Sequence, residues 1–125
     1  MIYGIGTDLV EVSRIERILQ RWGEHFVMKV YSHDEIDYCK RRASPAQHFA
    51  ARFAAKESFL KSLGIGLGMG VSLKDIELIN NQDGKPMLRI HRKAESILCE
   101  EGIKAVHVSV THTNKYAHTV VILEK

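Results

Sequence analysis

Glycine stands at every second position in Gly64-Ile65-Gly66-Leu67-Gly68-Met69-Gly70, and a helix does not run through such a segment. The chain must complete its longest helix before it. Ser44-Pro45 places an N-cap ahead of a proline at the first helical position, where the missing N–H costs nothing. From there Phe49, Ala50, Phe53, Leu60 and Leu63 follow helical spacing to about Leu63.

Around this helix the pattern predicts short strands and short helices. Ile2 to Thr7 is apolar and β-leaning. Ser13 and Glu16 have the spacing of a capping box, and Ile15, Ile18, Leu19 and Trp22 predict one buried stripe that ends at Gly23. Ser32 and Glu35 repeat the box and predict a helix to Lys40-Arg41-Arg42. Residues 75–80 and 87–90 predict hairpin strands around Asn81-Gln82-Asp83-Gly84. Residues 92–101 predict a helix with Ala94, Ile97 and Leu98 inward, closed by Gly102. Residues 105–111 and 116–123 predict a last pair of strands. The sum is α+β, an antiparallel sheet with packed helices, in a single domain over 1–125.

The net charge of +3 suits an acidic partner or a phosphate ligand and does not call for nucleic acid. Cys39 and Cys99 form no C-x-x-C pair and read as reduced thiols. No apolar run approaches the ~18 residues of a membrane span, and Met1 to Gly6 lacks the basic start of a signal peptide. A cytoplasmic enzyme or binding module is the expectation.

Two carboxylates carry the chemistry. Gly4, Gly6 and Asp8 share one strand face by the period of two, and two bare glycines leave room there for a bulky ligand. A turn aspartate after a strand is the plainer alternative. Glu57 lies in line with the apolar stripe of the long helix, so it needs a partner, a proton or a metal. Lys61, at i+4, is the partner its own helix offers. Arg52 and Lys56 form a like-charge i, i+4 pair whose repulsion a bound anion would relieve; a solvated basic face is the alternative. Two carboxylates beside several cations suit Mg²⁺ holding a phosphate.

Three segments together resemble the 4'-phosphopantetheinyl transferase superfamily, in its small bacterial holo-acyl-carrier-protein synthase branch. Gly4-Ile5-Gly6-Thr7-Asp8-Leu9-Val10 is similar to the family's G-x-D strand. Arg52-Phe53-Ala54-Ala55-Lys56-Glu57-Ser58 resembles its F-A-x-K-E helix, and Val108-Ser109-Val110-Thr111-His112-Thr113 its final strand. The resemblance implies Mg²⁺-dependent transfer of 4'-phosphopantetheine from coenzyme A to a serine of apo-acyl carrier protein, releasing 3',5'-ADP. It implies Asp8 and Glu57 as metal ligands, with Lys61 on the pyrophosphate. Arg52 and Lys56 would assist at the 3'-phosphate or adenosine end, and Gly64, Gly66 and Pro86 would border the adenosine. His112 is a candidate base or phosphate contact; Glu57 or a metal-bound water are the other candidate bases.

Arg14, Arg17 and Arg21 stand at i, i+3, i+7 on the first helix, away from its apolar stripe. The resemblance implies that this stripe docks an acidic helix of the carrier, and that copies assemble as homotrimers with active sites at subunit boundaries. Two other readings compete. A magnesium phosphohydrolase would use the same carboxylates without an acceptor protein. An RNA-binding module would need an aromatic RNP motif or a G-x-x-G clamp, and neither occurs.

Overall fold

The computed structural model describes residues 1–65 and 70–125. In chain order the elements are β1 (Ile2–Glu11), α1 (Val12–Trp22), α2 (Glu24–Val30), α3 (His33–Lys40) and α4 (Pro45–Leu63), then a 3₁₀ turn (Leu73–Asp75), β2 (Ile76–Asn80), β3 (Pro86–Ile90), α5 (Arg92–Glu100), β4 (Ala105–His112) and β5 (Tyr116–Glu124). The α+β expectation holds, but the strands form two ladders. One is a three-stranded antiparallel sheet in the order β1-β5-β4, and the other is the β2-β3 hairpin.

Helix α4 is the centre of the molecule. Pro45 opens it, and Gly64 closes it in the left-handed region at φ 75°, its N–H reaching the carbonyls of Leu60 and Lys61. Its burial is wider than a single stripe. Ala50, Ala51, Ala54 and Ala55 are buried along with Phe49, Phe59, Leu60 and Leu63, so neighbours pack on most of its circumference. The N-terminal half joins a core with Val10, Ile15, Val27, Tyr31 and Ile36. The C-terminal half joins a second core with Ile76, Ala94, Val121 and Leu123. A fully buried side chain such as Phe59 contributes roughly 1.5–3 kcal/mol over its exposed state.

Three local expectations are corrected. Strand β1 runs past Thr7 to Glu11, because β5 pairs with it residue by residue from Gly4 to Glu11 and sets Asp8 opposite Thr119. Helix α1 begins at Val12 without a side-chain cap, since the Val12 N–H bonds the Lys115 carbonyl at 2.8 Å; Ser13 lies inside the helix. Trp22 is 55% exposed in the last turn, with the Arg21 guanidinium 5.2 Å from its ring centroid. No capping signal marks helix α2 in the sequence; it follows Gly23 directly and buries only Val27 and Val30. The Ser32–Glu35 capping box forms as expected.

One sheet face packs on α4. On the opposite face Ile5 pairs with Ile122, Thr7 with Val120, and Leu9 with His118. Ile5 and Leu9 are 58% and 62% exposed there, and no element of the chain among the described residues covers them. No described helix is long and apolar enough to cross a membrane.

Candidate functional site

Gly4 and Gly6 face α4, and the bare face is filled by helix backbone. A Cβ at Gly4 would overlap the carbonyl oxygen of Ser62, and one at Gly6 would overlap that of Ser58. The expectation of ligand room on this face is therefore corrected. The glycines let α4 lie against β1 at a distance no side chain would allow. That approach brings the next residue on the face, Asp8, to the helix turn carrying Glu57 and Lys61.

Lys61 Nζ donates to Asp8 Oδ1 at 2.9 Å and to the Thr7 carbonyl at 3.1 Å. Glu57 is half-buried, and burial followed by the Asp8 charge pushes its carboxyl pKa up. Lys61 and Arg14 oppose that shift. Two hard carboxylate oxygens held together against their own repulsion are a donor set that a small divalent cation would stabilise, its other positions filled by water or phosphate oxygens. Among the described residues, no group of three or more His, Cys, Asp or Glu is placed to hold a metal ion.

Arg52 points elsewhere. Glu57 and Arg52, five residues apart, project about 140° apart on α4. On Arg52's side lies a pocket of about 190 Å³ walled by Tyr38, His48, Arg52, Asn80, Pro86 and His112, among others. Arg52 is 3% exposed, its guanidinium carbon lies 4.2 Å from the Tyr38 ring centroid, and its Nε has no hydrogen-bond partner among the described residues. Arg42 lies 3.9 Å from the same centroid. The His48 ring stands 5.4 Å from that of His112 at 67°. Burial, then the charges of His112, Arg52 and Arg42, push the His48 pKa down.

The expected ligand set thus divides. Asp8, Glu57 and Lys61 come together on one flank of α4; Arg52, Pro86 and His112 come together on the other. In the sheet, Asp8 pairs with Thr119 and Thr119 with Val110, so His112 lies two strands from β1, about 10 Å across the sheet. Gly64 caps α4 beyond Lys61 and is not a wall of the Arg52 pocket. Gly66 lies outside the described residues.

Lys56 is a correction. It is fully buried, and its Nζ donates to Glu35 Oε1 at 2.6 Å and to the carbonyls of Leu73 (2.9 Å) and Ile76 (2.6 Å). Every proton of its ammonium is used inside the protein, so it cannot reach a ligand. Glu35 in turn accepts from the N–H groups of Ser32 and Leu78. Glu35 and the two carbonyls satisfy Lys56 independently of Arg52. Neither His48 nor Glu35 was a sequence candidate. His48 stands one helical turn before Arg52, a visible signal; the burial of Glu35 is not visible beyond its capping spacing.

Arg14, Arg17 and Arg21 are exposed on α1, while Ile15 between them is buried. The stripe is therefore free to meet a partner, and its Arg14 end lies close enough to Glu57 to lower that carboxyl's pKa.

A model of the 4'-phosphopantetheinyl transferase superfamily matches residues 4–121. The chain is 56% identical over 124 residues to a holo-[acyl-carrier-protein] synthase of Syntrophus aciditrophicus, covering 99% of this chain and 97% of the relative. Its fold superposes on the crystal structure of the Neisseria meningitidis holo-[acyl-carrier-protein] synthase with a TM-score of 0.93 at 34% identity, over the whole of both chains. It is similar also to the Bacillus anthracis synthase in complex with CoA (3',5'-ADP), with a TM-score of 0.81 at 34% identity, covering 99% of this chain and 97% of that one.

Proposed function

The chain belongs to the 4'-phosphopantetheinyl transferase superfamily, among its holo-[acyl-carrier-protein] synthases, and from that premise we propose that residues 1–125 form a single-domain, Mg²⁺-dependent cytoplasmic enzyme with a site shared between copies. It moves 4'-phosphopantetheine from coenzyme A to a serine of apo-acyl carrier protein. The observation that carries this is the meeting of Asp8, Glu57 and Lys61 where α4 crosses β1.

Asp8 and Glu57 would hold the Mg²⁺, which when bound supplies positive charge to the pyrophosphate oxygens. Lys61, already beside Asp8, would turn its ammonium to the same pyrophosphate. The carrier serine oxygen bonds to the β-phosphorus as the bond to the bridging oxygen breaks, and that oxygen leaves on 3',5'-ADP. The serine proton passes to a base, for which His112 and Glu57 are the candidates among the side chains.

Arg52, Pro86 and His112 would receive the nucleotide end. Because they occupy the far flank of α4, the pocket of one copy is proposed to face the carboxylates of the next. The uncovered sheet face with Ile5, Leu9, Val120 and Ile122 is the surface proposed to bring three copies together. Arg14, Arg17 and Arg21 would then dock the carrier beside Glu57.

The test is to incubate the protein with coenzyme A, Mg²⁺ and apo-acyl carrier protein and weigh the carrier by intact mass spectrometry, with and without EDTA. A metal-dependent gain of one phosphopantetheine supports the reading. No gain with several carriers, from folded protein that binds coenzyme A, overturns it and leaves the phosphohydrolase alternative.

A further inference from the structure

We infer that His48 is a further phosphate-binding residue, taking up a proton as a phosphate monoester enters the pocket it shares with His112 and Arg52. The inference rests on the reading of that pocket as the nucleotide end of coenzyme A.

The geometry carries it. His48 is clamped edge to face between Tyr38, at 5.7 Å, and His112, at 5.4 Å. Arg42 and Arg52 both lie over the Tyr38 ring. Three cationic or protonatable side chains from α4 and β4 thus line the pocket, with Arg42 behind its Tyr38 wall, and no carboxylate is among the walls. A guanidinium as buried as Arg52, with an Nε lacking any acceptor among the described residues, is costly unless an anion completes it.

His48 is the group whose charge state responds. Burial and the neighbouring cations hold it neutral in the free protein, below its ordinary value. A phosphate monoester reverses the sign of the local field and lifts that value. Between the free and bound values, binding draws one proton from solvent onto the imidazole. Affinity therefore rises as pH falls through the bound value and levels off below the free one.

The test is calorimetry with 3',5'-ADP at pH 6.0 and 8.5, in buffers of differing ionisation enthalpy, on the wild-type protein and His48→Phe. Comparing the two proteins cancels the titration of the phosphate itself. The Kd ratio of variant to wild type should widen by about threefold or more from the higher to the lower pH, the effect of a rise of about one unit on binding, and proton uptake should fall in the variant. An equal ratio at both values overturns the inference while leaving the nucleotide pocket in place. Absence of 3',5'-ADP binding at either pH overturns the pocket assignment as well. If His48→Phe does not fold, the wild-type imidazole resonances decide by NMR. One must titrate low and move up on saturation with 3',5'-ADP, and its absence overturns the proposal.

Discussion

Lys61 bonds the carboxylate of Asp8 on another element at 2.9 Å, although Glu57 stands one turn away on its own helix. The ammonium therefore sits where a metal ion would share the Asp8 oxygens. Exposed pairs of this kind are worth about 0.2–1 kcal/mol, so Lys61→Met should tighten Mg²⁺ binding in the absence of coenzyme A by up to about fivefold. The same variant should lose transfer. Titration with MgCl₂ by calorimetry reads the first effect; unchanged or weaker Mg²⁺ binding would argue against competition at Asp8.

Glu57 has the opposite character. Its folded pKa lies above the ordinary carboxylate value, so the fold binds its proton more tightly than the unfolded chain does. Stability is then lost as pH rises through the unfolded and folded values, and the cost is complete at neutral pH. Glu57→Gln should raise the Tm of the metal-free protein at pH 7 while abolishing transfer, and the gain should vanish near pH 4. A lower Tm at pH 7 would count against the burial and the Asp8 repulsion that raise its pKa.

Gly6→Ala should be among the most damaging single methyl additions in the chain. The new Cβ meets the Ser58 carbonyl, which is helix backbone and cannot rotate away. Overpacking of this kind costs about 1–3 kcal/mol or more. Urea unfolding should show the loss, and metal affinity should drop because Asp8 is pushed off Glu57. Wild-type stability would mean that α4 is not held against β1 as described.

Lys56→Met leaves Glu35 buried and unpaired, a change worth about 3–5 kcal/mol of stability. The double variant Lys56→Met with Glu35→Leu should recover much of that loss. Reduced coenzyme A affinity in a single variant of unchanged stability would return Lys56 to the ligand site.

Reversing Arg14 and Arg21 to Glu should raise the KM for acyl carrier protein by about an order of magnitude at low salt and spare coenzyme A affinity. The effect should shrink with added salt, since the screening length is only about 10 Å at 0.1 M. A KM that does not move would remove the docking proposal.

How much of this was legible in the chain differs by residue. Asp8, Glu57 and Lys61 could be paired because the G-x-D strand and the long helix each show one on a defined face. The purpose of Gly4 and Gly6 was misread, since a bare face signals a close neighbour without saying whether it is ligand or backbone. Lys56 was misplaced because i, i+4 spacing puts it beside Arg52 but says nothing of depth. Its partner, Glu35, stands in another helix, and only tertiary packing joins the two. The split of the ligand residues between two flanks follows from helical angle alone, yet it needed the sheet register to show that β4 does not bring His112 back to Asp8.

In the proposed assembly, that split would give the protein a property no isolated copy has. A chain crippled at Asp8 still carries an intact Arg52 pocket, and a chain crippled at His112 still carries intact carboxylates. With the site shared between copies as proposed, two inactive polypeptides mixed in one assembly would regenerate a working boundary between them, while neither would do so with copies of itself. Genetic complementation between alleles of a single small gene, usually a sign of separable domains, would here be written into the two sides of one nineteen-residue helix.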